Sequence, residues 1–202
     1  MPRLVDHEQR RRELTDATRR VVAEQGLDAT TFRSVSAEAG VSVRLFQYYF
    51  GDKAELLNQT LNAVIMDART RFAEQLEALS PDAYERSRVL QILQSLIPDT
   101  HEKLRDAIVL LAFHAGSVTT RAISVERTTA PMTALETLLT GYLSRDRGTL
   151  QDDDDAIDAR MLSTSVAGIV QAVVAAHISP HEAHQLVERL VSKTMRPSTS
   201  QP

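Results

Sequence analysis

The sequence predicts an all-α chain of about nine helices, and three observations carry that prediction. Glycine and proline number 7 each in 202 residues, roughly 7% together where about 12% is average. Alanine alone supplies 24 residues. Apolar residues recur at i, i+3, i+4 and i+7, whereas alternating β-branched segments bounded by turn clusters are missing.

The first helix is expected over residues 7–25, with Leu14, Ala17 and Val21 on one face and Gly26 placed for a left-handed C-terminal cap. A short helix follows over 31–39, then Gly40, then another over 42–48. Asp52 and Glu55 have the spacing of a capping box, and Leu56, Leu57, Leu61, Val64 and Ile65 carry the next helix on. Ser80 and Pro81 fit the N-cap and first residue of a helix running to about residue 96, where Pro98 stops it. Asp99 with Glu102 restarts a helix through Leu104, Ile108, Leu111 and Ala115. Pro131 begins or kinks the helix that carries Leu135, Leu138, Leu139 and Tyr142. Residues 145–155 read as a loop-like insertion whose aspartate run leads into Ile157 and Met161. Carboxylates there suit a helix N-terminus and call for no metal. Ser179, Pro180 and Glu182 combine N-cap, first-turn proline and capping-box acid, ahead of a stripe of Ala183, Leu186, Val187, Leu190 and Val191. The tail, 196–202, is expected to be disordered.

Composition excludes several kinds of chemistry. With no cysteine, disulfides, thiolate metal sites and thiol nucleophiles are absent, and a reducing, cytoplasmic setting is expected. The formal net charge is -4. Residues 1–55 hold nine basic and nine acidic side chains, so any nucleic-acid contact must be local and aimed. Residues 1–12 lack an apolar run, and no secretory signal is expected. The stretch 161–181 has no Asp, Glu, Lys or Arg and is long enough to cross about 30 Å of hydrocarbon. Ser163, Thr164, Ser165, Gln171, His177 and Ser179 interrupt it, and on that ground it is read as too polar to span. There is no phosphate-binding glycine loop, nucleophile elbow or His-Glu-x-x-His. Neither catalytic residues, metal ligands nor a cofactor are expected. His177, His181 and His184 come nearest to a metal cluster, but Pro180 separates the first from the others, which suits an exposed capping turn.

Residues 31–49 carry the functional signal. A helix-turn-helix needs a small residue where its helices pack closely, a glycine at the turn, and apolar residues that fix the interhelical angle. Ser36 is small, Gly40 sits at the turn, and Val35, Ala39, Val41, Phe46 and Tyr49 fit the apolar positions. Ser42 can cap the second helix, whose exposed residues would enter a major groove. Arg10, Arg11, Arg12, Arg19 and Arg20 form a basic flank able to touch DNA backbone or to sit solvated.

Here the chain resembles the TetR family of one-component transcriptional regulators. The matching run is Ala39, Gly40, Val41 and Ser42, then Leu45, Phe46, Tyr48, Tyr49, Phe50 and Lys53, followed by Leu56 and Leu57. Ser36 stands where the family usually has alanine, Gln47 where it has tyrosine, Tyr49 where histidine is common and Arg44 where glycine is frequent. The resemblance implies a three-helix DNA-binding domain over 1–55 and a helical effector-binding and dimerisation domain over 56–195. Base readout is expected from Arg44, assisted by Val43 and Gln47, since a guanidinium can meet a guanine edge in two hydrogen bonds. Thr31, Ser42, Tyr48, Tyr49 and Lys53 are expected to hold phosphates.

The resemblance further implies a cytoplasmic, ligand-responsive repressor that binds a palindromic operator as a homodimer and is released by a small molecule. Helices over about 157–178 and 181–194 are the expected dimer seam, because the first is apolar or small nearly all round. Phe113, His114, Ser117, Arg121, Met132, Leu135, Tyr142 and His177 are the candidate effector contacts. A helical protein-binding adaptor, or an enzyme using a histidine-bound metal, are the alternatives. No membrane partner is expected.

Overall fold

The computed structural model describes residues 2–78, 84–119, 123–148 and 153–195, with side chains from residue 7 onward. Among them lie nine helices and no strand: α1 (Pro2–Gln25), α2 (Phe32–Ala39), α3 (Val43–Phe50), α4 (Lys53–Glu77), α5 (Glu85–Ser95), α6 (His101–Thr119), α7 (Val125–Arg147), α8 (Asp153–Val174) and α9 (Pro180–Thr194). The expected disorder of 196–202 and the expected start at Ser80 and Pro81 fall outside the described residues.

Local chemistry sets most helix ends. Gly26 adopts φ +81°, and its N–H reaches the Val22 carbonyl at 3.0 Å, the left-handed cap expected after α1. Ser179 caps α9 with the full reciprocal box: Ser179 Oγ accepts from Glu182 N–H while the Glu182 carboxylate accepts from Ser179 N–H, with proline in the first turn.

Other ends differ from the sequence expectation. Only half of the Asp52 box forms: Asp52 Oδ1 accepts from Glu55 N–H at 2.8 Å, but the Glu55 carboxylate is taken by Gln59. The α6 cap moves to Thr100, whose Oγ1 accepts from Lys103 N–H, because Asp99 is drawn to the Lys103 ammonium and to His184. The helix expected from Pro81 begins at Glu85, with Tyr84 extended before it. Pro131 lies inside α7, and of the insertion expected over 145–155 the described residues are helical up to Arg147, where α7 ends, and again from Asp153, where α8 starts.

The chain forms two compact units. The first comprises the described residues within 1–69 and 105–129, the second those within 70–104 and 130–202. In the first, Leu14, Val21, Val35, Phe46, Phe50 and Leu56 make one buried cluster, and Val22, Leu57, Leu61, Val64, Val109, Phe113 and Ile123 make another. Gly116 of α6 belongs to the second cluster's packing, for a Cβ there would stand 2.7 Å from Leu27 Cδ1. In the second unit, α5, α7, α8 and α9 bury a core that includes Leu93, Leu139, Leu143, Leu162, Val166 and Val187.

By length and composition alone α8 is long and apolar enough to cross a membrane, a property that the core helix of a bundle shares. Ala159, Leu162, Val166 and Val173 on one side of it are part of the core. Ile157 and Met161 stay more than half exposed.

Candidate functional site

The first unit's helix-turn-helix is built around three phenylalanines. Phe46 is fully buried, stacked on Phe50 at 5.8 Å between centroids and tilted against Phe32 at 6.4 Å. This aromatic wedge fixes α3 against α2 and α1 from below. Ser36, the small residue expected where the helices approach, is buried, and its hydroxyl has no hydrogen-bond partner among the described residues. Gly40 turns the chain at φ +65°, its N–H bonding back to Ala37 and Ser36 carbonyls. No side chain would collide with a Cβ at Gly40, so glycine is required by backbone conformation alone.

Above that core, Thr31, Ser42, Val43, Arg44, Gln47, Tyr48 and Lys53 are exposed, and Tyr49 is half-buried against the cluster. Thr31 caps α2 in a capping box with Ser34. Ser42 caps α3 by accepting from Leu45 N–H at 3.3 Å. A capping hydroxyl uses its oxygen as acceptor and retains its own hydrogen. Ser42 spends that hydrogen on no described residue. Lys53, the first residue of α4, reaches the Leu27 carbonyl at 3.4 Å. Tyr48 is the most exposed of the aromatic pair at 74%, and its ring meets Tyr49 edge-on.

The basic flank is largely consumed within the chain. Arg10 pairs with Glu13, Arg20 with Glu38, and Arg11 donates to Gln59 while lying over Tyr49 and Phe50. Arg19, 12% exposed, faces Asp16, Asp67 and Asp106. Burial, with Asp67 and Asp106 close by, pushes the Asp16 carboxyl above the ordinary range despite Arg19. Among the described residues the guanidinium groups of Arg12, Arg33 and Arg44 have no partner. Arg33 is not among the residues that the sequence motif marks. It occupies the second position of α2, as Arg44 does in α3, and that shared position beside a capped N-terminus is the signal that points to it.

The candidate effector contacts are distributed differently. Phe113, His114 and Ser117 belong to the first unit: Phe113 is core, and His114 Nδ1 and Ser117 Oγ both meet Thr128 Oγ1, at 3.3 and 3.2 Å. Met132, Leu135, Tyr142 and His177 belong to the second. Leu135 and Tyr142 are core there, the Arg145 guanidinium covers the Tyr142 ring at 4.5 Å, and His177 is exposed. Arg121 lies outside the described residues. A cavity of about 240 Å³ in the second unit is lined instead by Phe72, Gln75, Leu76, Ala78, Gln91, Ile92 and Ser95. Nothing in the linear pattern marks these residues apart from other amphipathic positions. Among the described residues no three His, Asp or Glu side chains converge as a metal site. His184 pairs with Asp99 at 3.5 Å, and His181 Nε2 lies 3.2 Å from Gln185.

Residues 14–60 match the family described as bacterial regulatory proteins, tetR family. A stretch of 90 residues, 45% of this chain, is 39% identical to 46% of the HTH-type transcriptional regulator BetI of Burkholderia thailandensis. The chain spans about half the length of the curated relatives it matches. Over 95% of its length it superposes on 99% of a transcriptional regulator from Rhodococcus sp. Rha1 with a TM-score of 0.81 at 20% identity. Over 92% it superposes on 96% of a Saccharomonospora viridis protein solved in complex with choline, with a TM-score of 0.77 at 18% identity. At those identities the structural likeness is one of fold. Residues 14–60, which hold the capped, glycine-turned helix pair, are thus similar to the tetR family of bacterial regulatory proteins.

Proposed function

We propose that the chain is a ligand-responsive transcriptional repressor that binds a palindromic operator as a homodimer and releases it on binding a small molecule. One observation carries the reading: α3 rests on a buried aromatic wedge and presents Val43, Arg44, Gln47 and Tyr48 to solvent, with the Arg44 guanidinium free among the described residues. A short helix so presented suits a major groove about 12 Å wide. Arg44, with Val43 and Gln47, reads bases in this proposal. Thr31, Ser42, Tyr48, Tyr49 and Lys53 hold phosphates, and Arg33 joins them from the start of α2. The division of labour is 1–55 for DNA and 56–195 for effector and dimerisation.

The homodimer is supported by the outer face of α8, where Ile157, Met161, Thr164, Gly168 and Gln171 recur at helical spacing and remain exposed, and by exposed Leu186 on α9. Apolar and small residues in such a stripe allow two helices to approach closely. For the effector we assign the cavity at Phe72, Leu76 and Ile92, whose volume near 240 Å³ suits a molecule smaller than most drug-sized ligands. Choline, present in the S. viridis complex, is a probe of that size. A cytoplasmic location follows from a chromosomal target.

The test is selection from a random duplex pool at low salt by the purified chain, with sedimentation in parallel. Enrichment of an inverted repeat by a two-chain species supports the proposal. Failure to retain any duplex overturns it, and leaves the helical adaptor; zinc-dependent turnover would favour the metalloenzyme.

A further inference from the structure

Resting on the DNA-binding reading above, we propose that His7 is a positioning residue that sets whether the Tyr49 hydroxyl meets a DNA phosphate as a hydrogen-bond donor. The Tyr49 hydroxyl oxygen lies 3.1 Å from His7 Nδ1, and the two rings are 5.7 Å apart. Tyr48 stands 6.5 Å from the imidazole. One turn along α1, the Arg11 guanidinium lies 5.9 Å from the Tyr49 ring centroid and donates to Gln59 Oε1 at 2.6 Å, while Gln59 Nε2 donates to Glu55. The charged and titratable groups recorded against the pair are Tyr48 from α3, Arg11 from α1 and, through Gln59, Glu55 from α4, and Arg10 follows His7 by one turn of α1. With the ring held between Arg11 and His7, the direction of the hydroxyl hydrogen is the freedom that remains.

The imidazole decides that direction. A neutral ring with a bare Nδ1 accepts the hydroxyl hydrogen, and the phenolic oxygen then offers only lone pairs to a phosphate, which itself has only lone pairs to offer. An imidazolium carries hydrogen on both nitrogens and can only donate. The hydroxyl hydrogen is then released toward the phosphate, with a cation directly behind the oxygen, and the resulting bond is charge-assisted. A phosphate thus disfavours the tautomer with a bare Nδ1; the neutral Nδ1–H tautomer and the imidazolium both free the hydroxyl hydrogen, and because only the imidazolium adds a cation behind it, DNA binding favours proton uptake at His7. Affinity therefore rises as pH falls.

The experiment measures the dissociation constant of the full chain for its selected duplex at about pH 6 and about pH 8, at one low salt concentration, for wild type, His7→Gln and Tyr49→Phe, with thermal melting of each. Wild type should bind about tenfold more tightly at the lower pH, the size of one charge-assisted bond gained. Both variants should change by less than about twofold with wild-type melting, the remaining five histidines being present in all three proteins. A pH slope that survives in His7→Gln overturns the proposal. So does a slope lost in His7→Gln but kept in Tyr49→Phe, which would mean that the histidine's charge acts without the hydroxyl. If wild type retains no duplex at either pH, it is the DNA-binding reading that fails.

Discussion

Replacing Asp155 by alanine should cost the folded chain about 2–4 kcal/mol. The carboxylate is fully buried at the first turn of α8, where Oδ2 accepts from Ser144 Oγ and Oδ1 from an Arg147 amine, both at 2.8 Å. Ser144 is itself buried, so losing this acceptor costs about 1–3 kcal/mol of unrecovered desolvation. Arg147 is 30% exposed and keeps Asp158; solvent and the second carboxylate recover most of that pair, leaving about 1 kcal/mol. Alanine gains about 0.5 kcal/mol of helix propensity and loses a comparable macrodipole interaction, so these two cancel. Asp155→Asn keeps an oxygen for Ser144 and should cost about half as much. Urea unfolding followed by circular dichroism, at one protein concentration because self-association shifts the midpoint, should show a midpoint lowered by about 1–2 M for alanine, given a slope near 2 kcal/mol/M. An alanine variant within about 0.5 kcal/mol of wild type would refute the reasoning, showing that desolvation of the carboxylate offsets all that its partners return.

The remaining expectations are shorter. Arg44→Ala should lose about 1–3 kcal/mol of discrimination at one base position, whereas Lys53→Ala should weaken all duplexes alike; competition binding with single-base variants separates them, and equal loss of preference in both contradicts the roles assigned. Gly40→Ala meets no neighbour and should pay only for its left-handed backbone, about 1–2 kcal/mol by urea unfolding, with Gly40→Asn milder; a cost above about 4 kcal/mol would mean that packing matters there after all. Asp16 has a folded pKa raised by burial, so its favourable contribution belongs to acid pH and is lost as pH rises through that value. Asp16→Asn should therefore gain up to about 0.5 kcal/mol near pH 7 and nothing below about pH 3, read from melting temperature against pH. A loss at neutral pH would instead make the Arg19 contact at 3.6 Å the stronger effect. Ile157→Glu with Met161→Glu should give a single-chain species in sedimentation while circular dichroism stays helical, since both side chains are exposed; an unchanged two-chain species places the seam elsewhere.

What could be read from the sequence is what short-range chemistry decides. Ser179, Pro180 and Glu182 lie within four residues and close their box with no help from elsewhere. Gly26 and Gly40 likewise mark backbone that other residues resist. Asp99 and Thr100 are adjacent and equally able to cap α6, and the choice falls to Lys103, one turn on, together with His184 on a distant helix. The same limit governs the candidate site. Exposure of Thr31, Ser42, Arg44 and Lys53 follows from helical periodicity once the phenylalanines are placed in the core. The fate of the basic flank does not, because Arg11 finds Gln59, and Arg19 finds Asp67, across a separation of 48 residues in each case. Effector contacts are harder still, since a cavity is defined by what several helices leave unfilled, and Phe72 and Ile92 differ in no local way from their neighbours in the core.

Among the described residues Arg10, Arg19 and Arg20 pair with carboxylates, which leaves the proposed reading head Arg11, Arg12, Arg33, Arg44 and Lys53 as cations without a counter-charge. Each phosphate neutralised contributes about 0.9 to the slope of log affinity against log salt, so this head gains little from the polyanion as such. Its grip on arbitrary chromosomal sequence is correspondingly weak. On the proposed reading, less of the protein is held by arbitrary duplex, and the share free to find the operator is larger.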